Sequence, residues 1–168
     1  VTEGGPLLEA SYAIRREVFV KEQGIFPQTD RDEMDAFSVH ILAVKGGEYA
    51  GTVRITPLGN GEWLGSRLAV RHPFRGRVGA LLVKRAEEEV KKRGGRRFRA
   101  YIQSSRVEFF ERCAWRSVRK IPDFHGRPHV LMLAAGPIWE EGPPAHSPGE
   151  MGADLEPLQS FKGVGSAG

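Results

Sequence analysis

The sequence has a single cysteine, Cys113, among 168 residues, and it has no apolar run near the length of a membrane-spanning helix. One cysteine excludes a disulfide framework and a multi-cysteine zinc site within one chain. A spanning helix needs about 20 predominantly apolar residues, so no membrane partner is predicted. No signal-peptide pattern is visible either, and we expect a soluble cytoplasmic protein.

A strong excess of either charge is also absent. The chain has 25 lysine and arginine residues against 21 aspartate and glutamate residues, a net charge of +4. This balance suits a polyanionic small ligand. The densest basic cluster, residues 91–97, ends a predicted helix, where cations complement the helix dipole. No nucleic-acid-binding motif accompanies it, so no nucleic-acid partner is predicted. The acidic stretch 30–35 lacks EF-hand spacing, and no metal is predicted.

Hydrophobic periodicity predicts an α/β (α+β) domain over residues 1–135. Helices are expected at 7–21, 78–93 and 106–113, and strands at 38–44, 49–56, 63–70, 97–103, 115–120 and 130–134. A hairpin tip is expected at 124–129. Residues 136–168 are rich in glycine and proline and predict a poorly ordered tail. Four apolar residues of that tail could still dock locally: Trp139, Leu155, Leu158 and Phe161.

A basic, glycine-containing turn at residues 71–77 connects a predicted strand to the long helix that begins near Val78. The first N–H groups of a helix have no partner within it, and the helix dipole adds positive potential at the same end. With Arg75 and Arg77 beside these groups, the turn predicts a site for a phosphorylated ligand. The alternative is an ordinary surface turn whose arginines are solvated.

This turn, RGRVGA at residues 75–80, resembles the R-x-x-G-x-G/A pyrophosphate loop of the GNAT superfamily of N-acetyltransferases. Aligned without a gap, it has Val78 where the family has its central glycine. Alternatively, one glycine is missing between Arg77 and Val78, which matches the following helix slightly better. Both alignments remain open.

Further motifs resemble the same family over about residues 10–135. Residues 107–115 (VEFFERCAW) are similar to x-x-F-Y-E-K-L-G-F, which ends the acyl-CoA groove. The patterns R-x-x-V-F-V-x-E-Q-G, W-L-G-x-R-L-A-V, Y-I-Q and H-G-R-P-H resemble an uncharacterised bacterial branch. A similar R-x-x-V-F-V opening occurs in acyl-homoserine-lactone synthases, which share the fold.

The resemblance implies the GNAT fold: a mixed, mostly antiparallel central sheet flanked by helices, with a central β-bulge or splay and a pyrophosphate loop before a helix. The edge strand that normally precedes the first helix is expected to be short or absent. The resemblance also implies direct acetyl transfer from acetyl-CoA to a small amine or amino-acid-like acceptor. The implied cofactor-binding residues are Leu68, Ala69, Val70, Arg75, Gly76, Arg77, Val78, Gly79, Ala80, Arg106 and Phe109.

The motifs leave several candidates for the general base and the general acid. The catalytic candidates are Glu22, Asp32, Asp35 and Tyr101, and three further residues are candidate bases: Glu33, His40 and Glu62. The acidic loop that contains several of them either serves the acceptor amine or is simply solvated. Many family members have a tyrosine at the position of Phe110 that protonates the leaving thiolate. Here Tyr101 or water would substitute, or the thiolate would leave unassisted.

Two other side chains admit more than one interpretation. Cys113 stands where the family has an apolar residue and is interpreted as part of the core. Arg67 either faces the acceptor or lies along the sheet. Two alternative functions also remain: an acyltransferase similar to acyl-homoserine-lactone synthases, and a GNAT-fold domain that binds CoA without catalysis. A monomer or homodimer is expected.

Overall fold

The computed structural model describes residues 5–26, 28–124 and 126–140, which form a six-stranded sheet with helices on both faces. The helices are α1 (Gly5–Arg15), which continues as a π-helical segment (Arg16–Glu22), α2 (Arg77–Lys92) and α3 (Val107–Arg112). The strands are β1 (Val39–Lys45), β2 (Glu48–Gly59), β3 (Glu62–Val70), β4 (Arg97–Gln103), β5 (Trp115–Phe124) and β6 (Arg127–Ala134). Short 3₁₀ turns occupy Glu33–Ala36, His72–Phe74 and Ser104–Arg106.

The strand order in the sheet is β1-β2-β3-β4-β6-β5. All neighbouring strands are antiparallel except β3 and β4, which are parallel. The predicted mixed, mostly antiparallel sheet is therefore confirmed. Within the described residues the sheet begins at Val39, so no strand precedes α1 there.

β3 and β4 separate along most of their length. Their paired residues run only from Glu62 opposite Arg97 to Leu64 opposite Arg99. Beyond that point β3 continues for six residues along β2, and β4 continues along β6. The two facing edges therefore diverge from a vertex at Leu64 and Arg99. This gap is the predicted splay, and we refer to it by that name.

The two faces of the sheet are covered by different helices. On the α2 face, Val53, Phe98 and Ala100 pack with the apolar stripe of α2. On the α1 face, Leu42 and Ala69 pack with apolar residues of α1 and the π-helical segment. Because side chains alternate along a strand, each strand sends every second residue to each helix layer.

Several boundaries differ from those predicted. The hairpin tip between β5 and β6 is shorter than the predicted 124–129, because Ile121 pairs with His129 and Phe124 with Arg127. Prolines and exposed charges in β5 and β6 hide these strand ends from a periodicity argument.

Trp139 does dock: it is 5% exposed, its ring centroid lies 6.0 Å from that of Phe98, and Lys91 lies over it. Leu155, Leu158 and Phe161 lie outside the described residues.

Candidate active site

A β-bulge interrupts β3 beside the splay. Thr52 pairs with Ala69 and Arg54 with Ser66, so two steps along β2 match three steps along β3. The extra residue falls at Arg67, whose φ of 55° is uncommon for a residue with a side chain. Bulges turn backbone groups away from the regular ladder. On the edge of β3 that faces the splay, backbone groups after Leu64 are therefore free of strand pairing with β4.

A small apolar cavity lies under the splay on the α2 face. It is bounded by Gly65 and Leu68 of β3, Ala100 of β4, Val83 of α2 and Phe110 of α3. Phe110 packs edge-on against Trp115, with ring centroids 5.6 Å apart. Phe109, half-buried, packs edge-on against Phe110. The walls of the splay on this face are thus apolar and close to two helices.

The glycine-containing turn leads directly into α2. Gly76 is the N-cap residue of α2, with a φ of 132°, and no side chain caps the helix there. The side chain of Val78 is buried and faces β2: a Cβ placed on Gly51 would lie 3.3 Å from Val78 Cγ1. The valine that departs from the loop pattern therefore points into the core.

Basic side chains surround this helix N-terminus. The Nε of Arg75 donates to the carbonyl oxygen of Val70 at 3.2 Å, and its Nη2 pairs with the Glu22 carboxylate. Arg106, from the turn before α3, lies near enough that burial and the charge of Arg75 together lower its pKa. Within the described residues Arg106 has no ion pair. A compact anion at this point would relieve the repulsion between two arginines.

A second charged cluster is buried on the α1 face. It joins three arginines and three aspartates, which we call the Arg–Asp network: Arg15, Arg54, Arg67, Asp30, Asp32 and Asp35. The closest contacts are Arg15 Nε to Asp30 Oδ2 at 2.7 Å, Arg15 Nη1 to Asp35 Oδ1 at 2.8 Å and Arg54 Nη1 to Asp32 Oδ1 at 2.6 Å. Buried charges in proteins are paired in this way because isolated ones cost too much to desolvate.

The network fixes the acidic loop to the sheet. Asp32 caps the 3₁₀ turn by accepting from Met34 N at 2.9 Å. Burial alone would raise the pKa of Asp35, but hydrogen bonds from Arg15 and the charges of Arg15 and Arg54 hold it well below its usual value. The Asp35 carboxylate is therefore a poor proton acceptor in this state. The interpretation of a solvated loop is wrong for Asp30 and Asp35, which are buried.

Arg67 connects this network to the bulge. Its guanidinium donates to the carbonyl oxygen of Asp30 at 2.9 Å and lies 4.8 Å from the ring centroid of Phe26. Burial, together with the neighbouring Arg54 and Arg15, lowers the pKa of Arg67 to about 9. These contacts hold a non-glycine residue at positive φ, a conformation that costs roughly 1–3 kcal/mol. The side chain does not lie along the sheet surface, since it is 1% exposed.

The other proton-transfer candidates are dispersed. Glu22 pairs with Arg75, just before the N-terminus of α2. Glu62 is buried and paired with Arg97 at 2.8 Å. Tyr101 is fully buried in β4, stacked on Phe124 with ring centroids 6.2 Å apart. The remaining two are Glu33, which is exposed, and His40, whose pKa is lowered by burial. The structure does not gather these residues into one catalytic cluster.

Cys113 packs against the core at the end of α3. Burial raises the pKa of its thiol, with a smaller contribution from Glu87. A thiol of raised pKa is a poor nucleophile at neutral pH, because the thiolate is the reactive form. This agrees with its interpretation as a core residue.

Sequence reasoning missed most of the buried arginines. Arg15 follows the buried Ile14 in α1, and Arg54 and Arg99 lie inside buried strands. These arginines could have been found as charged residues at positions that the hydrophobic periodicity assigns to the core. Such a residue must find a partner of opposite charge, and the acidic stretch 30–35 was the candidate.

Among residues 5–26, 28–124 and 126–140, no group of three or more His, Cys, Asp or Glu side chains is arranged to hold a metal ion. Over the same part of the chain, no helix is long and apolar enough to span a membrane.

Comparison with known proteins agrees with this geometry. The model of the acetyltransferase (GNAT) family matches residues 8–115. A Bacillus subtilis (strain 168) protein that carries the provisional name acetyltransferase is 31% identical over 129 residues, which cover 74% of this chain and 87% of that protein.

Solved structures share the architecture. A protein from Lactobacillus plantarum, provisionally named an N-acetyltransferase, superposes with a TM-score of 0.72 at 26% identity, covering 79% of this chain and 92% of that one. An aminoglycoside 6'-N-acetyltransferase complexed with coenzyme A superposes with a TM-score of 0.64 at 16% identity, covering 83% and 95%. At that identity the second likeness concerns the fold alone.

Proposed function

The chain belongs to the GNAT acetyltransferase family, and from that premise we propose that it is an acetyl-CoA-dependent N-acetyltransferase acting on a small amine or amino-acid-like acceptor by direct transfer. The observation that carries the proposal is the splay between β3 and β4, which opens beside the uncapped N-terminus of α2. An extended thioester cofactor needs both features: unpaired strand edges along its arm and a site for its phosphates.

The donor phosphates occupy the α2 end of this arrangement in our proposal. The N–H groups of residues 77–80 and the dipole of α2 favour an anion. Arg75 and Arg106 supply charge from two sides, and their mutual repulsion supports an anionic ligand between them. Phe109 lies on α3, three residues after Arg106. Membership of the GNAT family supports acetyl-CoA as the ligand, and its pyrophosphate would be this anion.

The pantetheine arm then runs along the splay toward its vertex. Backbone groups of Leu68 and Val70, with Ala69 between them, would hydrogen-bond the arm and the thioester oxygen, an oxyanion-type role. The bulge at Arg67 supports this role, because it turns the backbone of β3 away from β2 just before Leu68. Apolar side chains on the α2 face would exclude water from the arm.

The transfer step needs few protein groups. The acceptor nitrogen, as a neutral amine, attacks the thioester carbonyl carbon, the C–N bond forms, the C–S bond breaks, and CoA leaves as the thiolate. The amine loses one proton and the thiolate gains one. Holding the reacting atoms about 3–3.5 Å apart in the right orientation can supply about 7–11 kcal/mol of the barrier reduction.

Tyr101 is our proposed proton donor to the thiolate, since β4 forms one wall of the splay. The amine proton leaves through water, because Asp32 and Asp35 are occupied by arginines. Tyr101→Phe should lower kcat with little change in the acetyl-CoA KM. Equal kcat values for the variant and the wild type would show that the thiolate leaves unassisted.

The test of the proposed activity is release of free thiol from acetyl-CoA by the purified protein with a broad panel of amines. We expect turnover with at least one acceptor. Tight CoA binding without turnover across the panel would instead support a non-catalytic CoA-binding domain.

The acyl-homoserine-lactone-synthase-like alternative differs in its donor. In a thermal-shift screen, we expect acetyl-CoA to raise Tm and an acyl carrier protein to leave it unchanged. The reverse result would favour that alternative. We also propose a cytoplasmic protein that is a monomer or homodimer, which cell fractionation and light scattering would check.

A further inference from the structure

An arginine that has no ion pair among the described residues lies at the vertex of the splay. Arg99 is 2% exposed, and its Nε and Nη1 are buried without any hydrogen-bond partner. Within the described residues its side chain forms no ion pair. A guanidinium always carries its charge at neutral pH and has five N–H donors to satisfy. A buried one that lacks an anion is an exception that calls for a ligand.

The side chain of Arg99 faces the α1 layer. Its neighbour Phe98 contacts Gly65 on the α2 face, since a Cβ on Gly65 would lie 3.1 Å from the Phe98 ring. Alternation along β4 therefore directs Arg99 to the opposite face. Arg99 is also the residue opposite Leu64 in the last parallel pair, so it lies where the splay opens.

Arg67 contributes a second free donor on the same face. Its Nη1 is buried and has no hydrogen-bond partner, although Nε and Nη2 are occupied by the Asp30–Asp32 loop. In the Arg–Asp network three arginines balance three aspartates. The charge of Arg99 comes in addition to that balance. The α1 side of the splay thus has one uncompensated positive charge and unused donors on both strands.

We propose that Arg99, assisted by Nη1 of Arg67, binds a carboxylate of the acceptor, so that the substrates of this protein are amino acids or amino-acid-like compounds that carry a free carboxylate. The inference rests on the proposed function. The cofactor arm approaches along the apolar α2 side, and the acceptor approaches from the α1 side. A carboxylate held at the vertex directs the amine of the same molecule toward the thioester.

The charge count favours a carboxylate over a phosphate ester. A single uncompensated guanidinium matches a monoanion, whereas a phosphate dianion would leave excess negative charge beside Asp30 and Asp32. Hydrogen bonds to charged groups also discriminate strongly against ligands that lack the charged group, because the buried donors are then left unpaired.

The experiment compares three matched acceptor sets: amino acids, their carboxamides, and phosphate-bearing amines such as phosphoethanolamine. Wild-type protein is assayed beside Arg99→Met, Arg99→Lys and the exposed control Lys84→Met. Circular dichroism and the acetyl-CoA dissociation constant establish that each variant is folded. For Arg99→Met we expect KM for the preferred amino acid to rise roughly 10- to 150-fold, as loss of a charged hydrogen bond implies. Arg99→Lys should recover part of this loss.

In parallel, calorimetry measures amino-acid binding to wild-type and Arg99→Met protein saturated with coenzyme A, which separates the inference from the proposed activity. Carboxylate-dependent binding that requires Arg99 but gives no turnover would refute the activity and retain the subsite. The inference is overturned if amides are used as well as acids, if phosphoethanolamine is preferred, or if Arg99→Met keeps the wild-type selectivity. Absence of amino-acid binding in calorimetry together with absence of turnover overturns it as well.

Discussion

Replacing Glu22 with glutamine is expected to tighten binding of coenzyme A by about two- to fivefold. In the ligand-free protein the Glu22 carboxylate pairs with Nη2 of Arg75, the arginine that we assign to the cofactor phosphates. The two side chains are 32% and 28% exposed, so solvent screens much of the attraction. Pairs of this kind are worth about 0.5–1 kcal/mol, and a cofactor that recruits Arg75 must first break this one.

Removing the carboxylate also removes a negative charge from the neighbourhood of the incoming phosphates. Both effects favour coenzyme A binding, so we expect the variant to bind it more tightly than the wild type. Isothermal titration with coenzyme A at low and moderate salt measures it, and the gain should shrink as salt screens the charges. Glu17→Gln is the matched control. Glu17 lies on the same π-helical segment and pairs with Arg71 at 3.0 Å, outside the loop at 75–80.

The same variant decides between two roles for Glu22. A general base contributes about 10²–10⁴-fold to the rate, so its loss would lower kcat by at least that order and leave coenzyme A affinity unchanged. If Glu22 instead competes with the cofactor for Arg75, Glu22→Gln should tighten coenzyme A binding and leave kcat largely unchanged. Unchanged or weaker coenzyme A binding by Glu22→Gln, with Glu17→Gln behaving identically, would refute the reasoning.

Three further changes test other parts of the structure. Asp35→Asn should destabilise the fold by about 3–5 kcal/mol in urea unfolding, because it leaves buried arginines without their partner. Since the pKa of Asp35 is held below its usual 3.8 in the folded state, its contribution should be full above pH 3.8 and disappear as the pH falls below it; equal acid sensitivity of variant and wild type would contradict this. Gly76→Ala should weaken coenzyme A binding roughly tenfold, because a φ of 132° strains any residue with a side chain. Gly94→Ala, at the opposite end of α2 with a φ of 85°, is its control and should cost stability without changing that affinity. Trp139→Ala should lower stability by about 3 kcal/mol through lost packing on Phe98; an unchanged Tm would show that residues after β6 do not contribute to the fold.

The fold was largely predictable because its signals are local. α2 has an amphipathic stripe of Leu82, Ala86 and Val90 that needs no tertiary information to recognise. Strand β1 is a largely apolar run rich in β-branched residues that ends at turn residues. The turn chemistry around Gly76 marked the start of α2 to within one residue. Short-range patterns of this kind determine secondary structure and, through element order, the topology.

The site was less predictable because its groups meet only across the sheet. Asp32 and Asp35 looked like candidate bases in a loop that precedes β1. Their actual partners are Arg15 on a helix and Arg54 on a strand, 20 and 19 residues from Asp35. The pKa of a carboxylate falls when a positive charge is brought to within about 3 Å, and no local sequence pattern encodes that distance.

By itself, the sequence determined the order of helices and strands, the basic turn before α2 and the membership of a family with a known chemistry. Each single element or motif among these depends on residues that are close together in the sequence. The tertiary structure alone decided which charges neutralise one another, that Val78 points into the core, and that Arg99 lies at the vertex of the splay with no ion pair among the residues the structure describes. The reason is physical: burial and electrostatic pairing depend on separations in space, and folding brings together residues that the chain holds far apart.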